Sequence, residues 1–175
     1  MRTVVLRVAA LALLLLLALV AVISIRTMSR LPDTVVYFVK TESDHFRLEP
    51  VYRINREADT EANLLKALEE LIAGPTPSEQ ERTLTTAVPE DTRINSLELE
   101  GSRAIVDVSG EFAAGGGTAM MLGRLHQLFY TLTQPGSVEE VALTVDGVPV
   151  QMFGGEGLLV DYPWVRSERE QLPAW

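Results

Sequence analysis

Residues 115–150 constrain the fold more than any other stretch, because helix, turn and strand signals follow one another there without a gap. At 100° per residue, one side of a predicted helix is apolar: Met121, Leu122, Leu125, Leu128, Phe129 and Leu132. The opposite side is polar, and we expect it to face water: Arg124, Gln127 and Thr131. Thr118 suits the N-cap, and Pro135-Gly136 ends the helix because proline cannot donate to it.

A hairpin is predicted directly after this helix. Val141, Leu143 and Val145 alternate with other residues, as in a strand with one buried face. Asp146-Gly147 fits a tight turn into a second strand, Val148–Val150. The stretch therefore reads as a helix packed on a hairpin, and it contains no recognisable catalytic motif.

The earlier part of the chain repeats this pattern of paired strands followed by a helix. Thr34–Lys40 is rich in β-branched and aromatic residues at both phases, which predicts an inner strand, and Leu48–Ile54 is a second strand. A helix follows from Asp59 or Thr60 to Gly74-Pro75. Its predicted apolar stripe is Leu64, Leu65, Leu68, Leu71 and Ile72. Residues 76–86 are polar and suit a surface turn or a short helix.

A second hairpin is predicted around Glu100-Gly101-Ser102. Its apolar residues are Ile94, Leu97 and Leu99 before the turn and Ala104, Val106 and Val108 after it. Phe112 is expected to fill the core. The order ββα-ββα-ββ predicts an α+β two-layer sandwich, with two helices packed on one face of a mixed β-sheet. Leu158–Val160 suits a short edge strand, and residues 163–175 suit a loosely ordered tail.

Several of these stretches together resemble the GerMN domain, the sporulation and spore germination domain of bacterial membrane-anchored proteins and lipoproteins. The resemblance is carried by Leu128–Thr133 with the hairpin at Asp146-Gly147, by Leu68–Pro75, and by Val88-Pro89 followed by Ala104–Phe112. It spans about Val35 to Val150. It implies the same two-layer fold and a role in sporulation, germination or envelope assembly.

The first 30 residues predict a membrane anchor. Val8–Ile25 is apolar except for Ser24, and as a helix it spans about 27 Å of a hydrocarbon core about 30 Å thick. We expect the domain to lie outside the cytoplasmic membrane on a single-pass anchor. A cleaved signal peptide is the alternative. The predicted division is an anchor at 1–30, a GerMN-like domain at 31–160 and a tail at 161–175.

Composition narrows the classes of partner and site. Residues 1–30 hold four arginines and no acids, so the rest holds 11 basic and 24 acidic residues, a net charge of −13. Such a domain repels phosphate backbones, which argues against nucleic acid as a partner. The chain has no cysteine, which excludes disulfides and thiolate metal sites. His45 and His126 lack the spacing of metal ligands.

No residue is predicted to be catalytic, cofactor-binding or metal-binding, although several residues suit such a site in part. Gly115–Thr118 before a helix suits an anion, but it lacks the lysine of a nucleotide loop, so a flexible loop is favoured. His126 is expected at the rim of the apolar face and Asp107 in solvent. Two acidic pairs are expected to be solvated rather than to bind calcium: Glu69-Glu70 and Glu139-Glu140. Trp164 and Trp175 are assigned to the tail.

The sequence therefore predicts a non-enzymatic, membrane-tethered interaction module that needs no cofactor. Its expected partners are envelope or sporulation proteins, or a second copy through sheet edges. The alternative is an extracytoplasmic protein that binds a ligand or processes the cell wall.

Overall fold

The structure is a computed structural model that describes residues 16, 34–42, 45–54, 59–134, 136–153, 157–160, 163–166 and 175. The chain divides into two units, Met1–Pro32 and Asp33–Trp175. Apart from Leu16, the predicted membrane segment Val8–Ile25 lies outside the described residues. Within the described ranges, no helix is long and apolar enough to cross a membrane.

The second unit alternates strands and helices in the predicted order. The strands are β1 (Thr34–Thr41), β2 (Phe46–Arg53), β3 (Leu84–Thr85), β4 (Ile94–Glu100), β5 (Arg103–Val108), β6 (Glu140–Val145), β7 (Val148–Pro149), β8 (Met152–Phe153), β9 (Leu158–Leu159) and β10 (Trp164–Val165). The helices are α1 (Thr60–Ala73), α2 (Pro77–Gln80) and α3 (Thr118–Leu132), and a 3-10 turn covers Gly110–Ala113.

The strands form separate sheets, so the prediction of one mixed sheet is wrong. The first sheet has the order β2-β1-β3, and the second has the order β10-β6-β5-β4, with β7 also paired to β6. β8 and β9 form a two-stranded ribbon. The second sheet is mixed: β5 and β6 are parallel, and its other strand pairs are antiparallel. α3 connects β5 to β6 along the chain.

All three predicted hairpins are present, because each depends on local signals. β1 pairs β2, β4 pairs β5, and β6 pairs β7, each antiparallel. In the last hairpin Asp146 and Gly147 have φ angles of 48° and 76°, as a two-residue turn with both central residues left-handed requires. β1 is the predicted inner strand: it lies between β2 and β3, and Val36–Val39 are buried.

The ends of α1 follow the predicted capping signals. Asp59 is the N-cap, and its carboxylate accepts from the Ala62 amide at 2.8 Å. Gly74 ends the helix with a φ of 79°. The buried stripe contains Leu64, Leu68 and Leu71, but Leu65 is exposed and Ala67 is buried in its place.

α3 begins one residue earlier than its predicted N-cap implies. Gly117, in extended conformation, occupies the cap position, and Thr118 is already the first helical residue. The Gly117 carbonyl accepts from the Met121 amide at 3.1 Å, which closes the first turn. The helix ends at Leu132, with Thr133 as its C-cap. Pro135 lies outside the described residues.

The core is one continuous cluster to which both long helices contribute. α1 packs against β1, β4 and α3, and α3 also packs against β1. Phe112 is buried as predicted, with its ring centroid 5.4 Å from that of Phe153. Leu125 and Phe129, the centre of the predicted apolar face of α3, are both buried.

The described part of the tail packs against the domain, so the prediction of a loosely ordered tail is wrong for these residues. Trp164 pairs with Val141 as part of β10, and its ring stacks on Phe129 with centroids 4.3 Å apart. The Arg166 side chain donates to the Thr133 carbonyl at 2.8 Å. The tail thus extends the second sheet by one short strand.

Candidate interaction site

The polar side of α3 is buried, which reverses the prediction that it faces water. We call Arg124, Gln127, Thr131 and Gln134 the polar stripe; the first three are at most 3% exposed. Gln127 accepts from the Ala87 amide at 2.8 Å and donates to the Tyr37 carbonyl at 2.9 Å. Its side chain therefore satisfies backbone groups of two other segments.

Thr131 and Gln134 cover the part of the β1 edge that β3 leaves free. β3 pairs with β1 only at Val39 and Lys40. Further along, the Tyr37 amide donates to Thr131 Oγ1 at 3.2 Å, and the Val35 amide donates to Gln134 Oε1 at 3.3 Å. Helix side chains thus replace the neighbouring strand that a sheet edge otherwise requires.

Arg124 holds the glycine loop against the helix. Its guanidinium donates to the carbonyls of Ala87, Phe112 and Ala114 at 2.8, 2.9 and 2.7 Å, and burial lowers its pKa. Gly116 has a φ of 87°, and a Cβ there would lie 3.0 Å from Arg124 Nη2. Gly116 therefore lets the chain pass close over this side chain.

Asp107, predicted to face solvent, is half-buried, and its side chain forms hydrogen bonds to neighbouring strands and to a turn of the second sheet. Its carboxylate accepts from Thr144 Oγ1 at 2.5 Å, from the Gly147 amide at 2.8 Å and from Asn95 Nδ2 at 2.8 Å. These hydrogen bonds, that of Thr144 above all, lower the pKa of Asp107. They tie the β6–β7 turn to β5.

The acidic pairs are matched with basic side chains. Glu69 lies 3.1 Å from Lys66, Glu70 lies 3.4 Å from Arg53, and Glu140 lies 2.8 Å from Arg103. Glu139 is exposed. In the part of the chain that the structure describes, no group of three or more acidic or histidine side chains has the arrangement of a metal site.

Arg53 and Glu79 form a charge pair that was not predicted from the sequence. The two side chains form a bidentate pair at 2.5 and 2.8 Å, and the Thr76 amide also donates to Glu79 at 2.9 Å. The hydrogen bonds from Arg53 lower the pKa of Glu79 to about 2. The capping-box spacing of Thr76 and Glu79 was the available signal.

His126 lies at the rim of the apolar face, as predicted, within an aromatic cluster. Its ring centroid is 5.6 Å from that of Trp164 and 5.0 Å from that of Trp175. Burial lowers its pKa to about 4, so the imidazole is neutral at pH 7. The described rings that lie against it are those of Tyr130, Trp164 and Trp175.

The outer side of β4 is an open sheet edge. No described strand pairs with it. The outward Leu99 amide donates only to the Glu61 side chain at 3.2 Å, and Leu97 has the same backbone orientation two residues earlier. Glu98 and Glu100 are mostly exposed beside this edge. The edge thus offers backbone donors and acceptors next to acidic side chains.

The outer side of β2 is covered at one point by Trp175. Phe46 and Trp175 exchange two backbone hydrogen bonds, of 2.8 and 3.0 Å. Beside the indole lies a cavity of about 270 Å³. It is mostly apolar and is lined by Val39, Phe46, Thr85, Thr86, Ala87, Ala119, Met120, Gly123 and Trp175.

Two solved structures share this fold. The tandem GerMN domains of the sporulation protein GerM from Bacillus subtilis match with a TM-score of 0.61 at 21% identity, over 77% of this chain and 44% of that one. The first GerMN domain of the same protein matches with a TM-score of 0.62 at 20% identity, over 77% of this chain and 98% of that one. The chain thus spans less than half of the tandem structure.

A comparison with curated proteins gives no match. The family model Germane, described as sporulation and spore germination, matches residues 35–151, which is most of the second unit and more than half of the chain. The match agrees with the resemblance drawn from the hairpins and helices. This chain therefore belongs to the Germane family, the sporulation and spore germination domains.

Proposed function

We propose that this chain is a non-catalytic, membrane-tethered protein whose domain binds other proteins outside the cytoplasm, in sporulation, germination or envelope assembly. The observation that carries the proposal is the unpaired outer edge of β4. A strand edge can accept a partner's strand through its backbone, and exposed acidic side chains beside it give that contact selectivity. Family membership supplies the setting.

Tethering suits such a role. Two proteins held in one membrane meet at a raised effective concentration, so a contact of modest affinity suffices. The apolar run Val8–Ile25 supports the tether, and the absence of cysteine leaves no site for a lipid on a thiol. The partner is then an envelope or sporulation protein, or a second copy of this chain.

The edge is tested by Leu99→Pro in the full-length chain. Proline removes the outward amide, whereas the control Leu99→Ala keeps that amide and loses more side chain. Tagged variants are used to capture proteins from membranes of sporulating cells, and captured proteins are quantified by mass spectrometry. We expect Leu99→Pro to lose a specific partner that Leu99→Ala retains. Equal capture by both variants, with equal folding by circular dichroism, would refute the use of this edge.

The tether is tested by fusions after Trp175. Alkaline phosphatase, which is active outside the cytoplasm, should be active, and a fluorescent protein that folds only in the cytoplasm should remain dark. The opposite pattern would exclude the proposed topology. Release of a soluble chain about two dozen residues shorter would instead show that Val8–Ile25 is a cleaved signal.

The alternative is a ligand-binding or cell-wall-processing protein. Its discriminating assay is the release of soluble fragments from peptidoglycan by the purified chain. Asp107 and Glu111 are the carboxylates to replace, since each lies near the hairpin turns; Asp107 is held by three hydrogen bonds and Glu111 is paired with Arg93 at 3.1 Å. Activity that is lost with one carboxylate would overturn the non-catalytic proposal.

A further inference from the structure

We propose that the outer edge of β2 at Phe46, with the adjoining cavity, is a docking site for an extended segment of a partner protein that carries an aromatic side chain, and that Trp175 occupies this site in the unbound chain. Trp175 shows how the site binds. Its carbonyl accepts from the Phe46 amide at 2.8 Å, and its amide donates to the Phe46 carbonyl at 3.0 Å. This exchange is the pattern by which an added strand joins an antiparallel sheet.

The surface around Trp175 is shaped for a flat ring. The indole N–H donates to the Ala119 carbonyl at 3.0 Å, and the ring lies against Phe46 and His126 with centroids 6.2 and 5.0 Å away. Gly123 makes room: a Cβ there would lie 3.0 Å from the Ala87 Cβ and 3.3 Å from Cζ2 of the indole. A glycine inside a helix costs about 1 kcal/mol relative to alanine, and these two close approaches explain its presence in α3.

Trp175 leaves part of the site unfilled. The cavity of about 270 Å³ beside it is lined mainly by apolar groups, and Met120 at its rim is 44% exposed. Because an unfilled apolar cavity lacks the contacts that a side chain would make, a segment that places a second apolar side chain there gains burial. A partner segment thus has more to contact than Trp175 alone uses.

The backbone of β2 sets how far a partner strand pairs. In an antiparallel strand, alternate residues direct their amide and carbonyl groups to the same side. Phe46 directs them outward to Trp175, so Leu48 directs its own outward as well. Pro50 is the next residue of this phase and has no amide to donate. The site therefore takes a short segment, which pairs at Phe46 and Leu48 and replaces the single pairing residue Trp175.

This inference rests on the proposed protein-binding function but uses a different edge, so the two fail separately. The probe is an acetylated, amidated peptide, Thr-Val-Trp-Val-Thr, with a fluorescent label; a second peptide has alanine in place of tryptophan. Binding to the full-length chain is followed by fluorescence anisotropy. We expect Trp175→Ala to bind the tryptophan peptide at least tenfold more tightly than the unmodified chain, because the competing residue is gone.

Two further variants locate the site. Gly123→Ala added to Trp175→Ala should weaken peptide binding several-fold, because the new methyl group lies where the ring packs. Met152→Ala is the matched control, since Met152 is 66% exposed and is not among the residues that line the cavity. Leu99→Pro at the β4 edge should leave the peptide affinity unchanged; its effect is confined to capture of the partner.

Four results would overturn the inference. They are equal affinity of Trp175→Ala and the unmodified chain, equal affinity for both peptides, loss of cooperative melting in Trp175→Ala, and dimerisation of Trp175→Ala that the peptide does not reverse. Loss of cooperative melting would mean that Trp175 is part of the core. Dimerisation that the peptide does not reverse would mean that a second copy of the chain occupies the site. If capture at the β4 edge still depends on the Leu99 amide, the proposed function survives each of these.

Discussion

Gln127 gives the most direct test of the buried polar stripe. Replacing it with alanine should hardly change the stability if this side of α3 faces water, and should lower it strongly if this side is buried. On a wet helix face, Gln127→Ala would be nearly neutral. In the structure, Gln127 is fully buried and its amide group pairs the Ala87 amide and the Tyr37 carbonyl. Removing it leaves both backbone groups unpaired in the interior.

The expected magnitude follows from these two groups. A buried backbone donor or acceptor left without a partner costs about 1–3 kcal/mol, so two of them cost roughly 2–6 kcal/mol. Total stabilities are about 5–15 kcal/mol, so the loss is a large share. At roughly 2–4 °C per kcal/mol for a domain of this size, a loss of about 4 kcal/mol lowers the melting temperature by roughly 10 °C.

The assay is thermal and urea unfolding of the full-length chain, followed by circular dichroism. Gln127→Met keeps most of the side-chain volume and should recover little of the loss, which separates the hydrogen bonds from the cavity term. Gln151→Ala is the matched control, because Gln151 is exposed, and it should change stability by less than about 0.5 kcal/mol. A Gln127→Ala effect as small as that of Gln151→Ala would refute the burial of the polar stripe.

Four further outcomes are expected, three from the same unfolding measurements and one from hydrogen exchange. Thr131→Val removes the acceptor of the buried Tyr37 amide and should cost about 1–3 kcal/mol, whereas Thr60→Val should have little effect. Glu79 has its pKa lowered to about 2 from 4.5, so its contribution is present above about pH 4.5 and is lost as the pH falls towards 2; Glu79→Gln should flatten that part of the stability curve. His126 has its pKa lowered to about 4, so the unfolded chain takes up its proton first and stability falls between about pH 6.5 and 4; His126→Phe should remove that fall. Asp107→Ala frees the Gly147 amide and should speed hydrogen exchange at the β6–β7 turn, while Asp91→Ala leaves it unchanged.

The hairpins and the caps of α1 were predictable from sequence because their causes are local. A period of two in apolar residues, a turn such as Asp146-Gly147, and a capping carboxylate such as Asp59 act within a few residues. The separation into two sheets was not predictable in this way. It depends on how the edge of β1 opposite β2 is shared between β3 and the side chains of α3, and these segments are distant in sequence.

The buried polar stripe was missed because spacing alone does not tell whether a polar helix face meets water or a strand edge. The composition of α3 contained a signal that its polar side is buried. Apart from Arg124, α3 has no charged residue at neutral pH, and its polar residues are mainly amides and hydroxyls. α1, whose outer face does meet water, carries Glu61, Lys66, Glu69 and Glu70. Short uncharged side chains that both donate and accept are the groups that pair with backbone.

The stripe also bears on which sheet edges we propose as binding sites. A sheet edge attracts other strands unless it is covered, and each edge here is treated differently. The β1 edge is closed from within by Thr131 and Gln134, which no partner strand can replace without moving α3 out of the core. The β2 edge is closed at Phe46 by one residue, Trp175, and the β4 edge only by the carboxylate of Glu61 at Leu99. Because the closures at β2 and β4 can be exchanged without unpacking α3, these are the two edges at which we propose that partners bind.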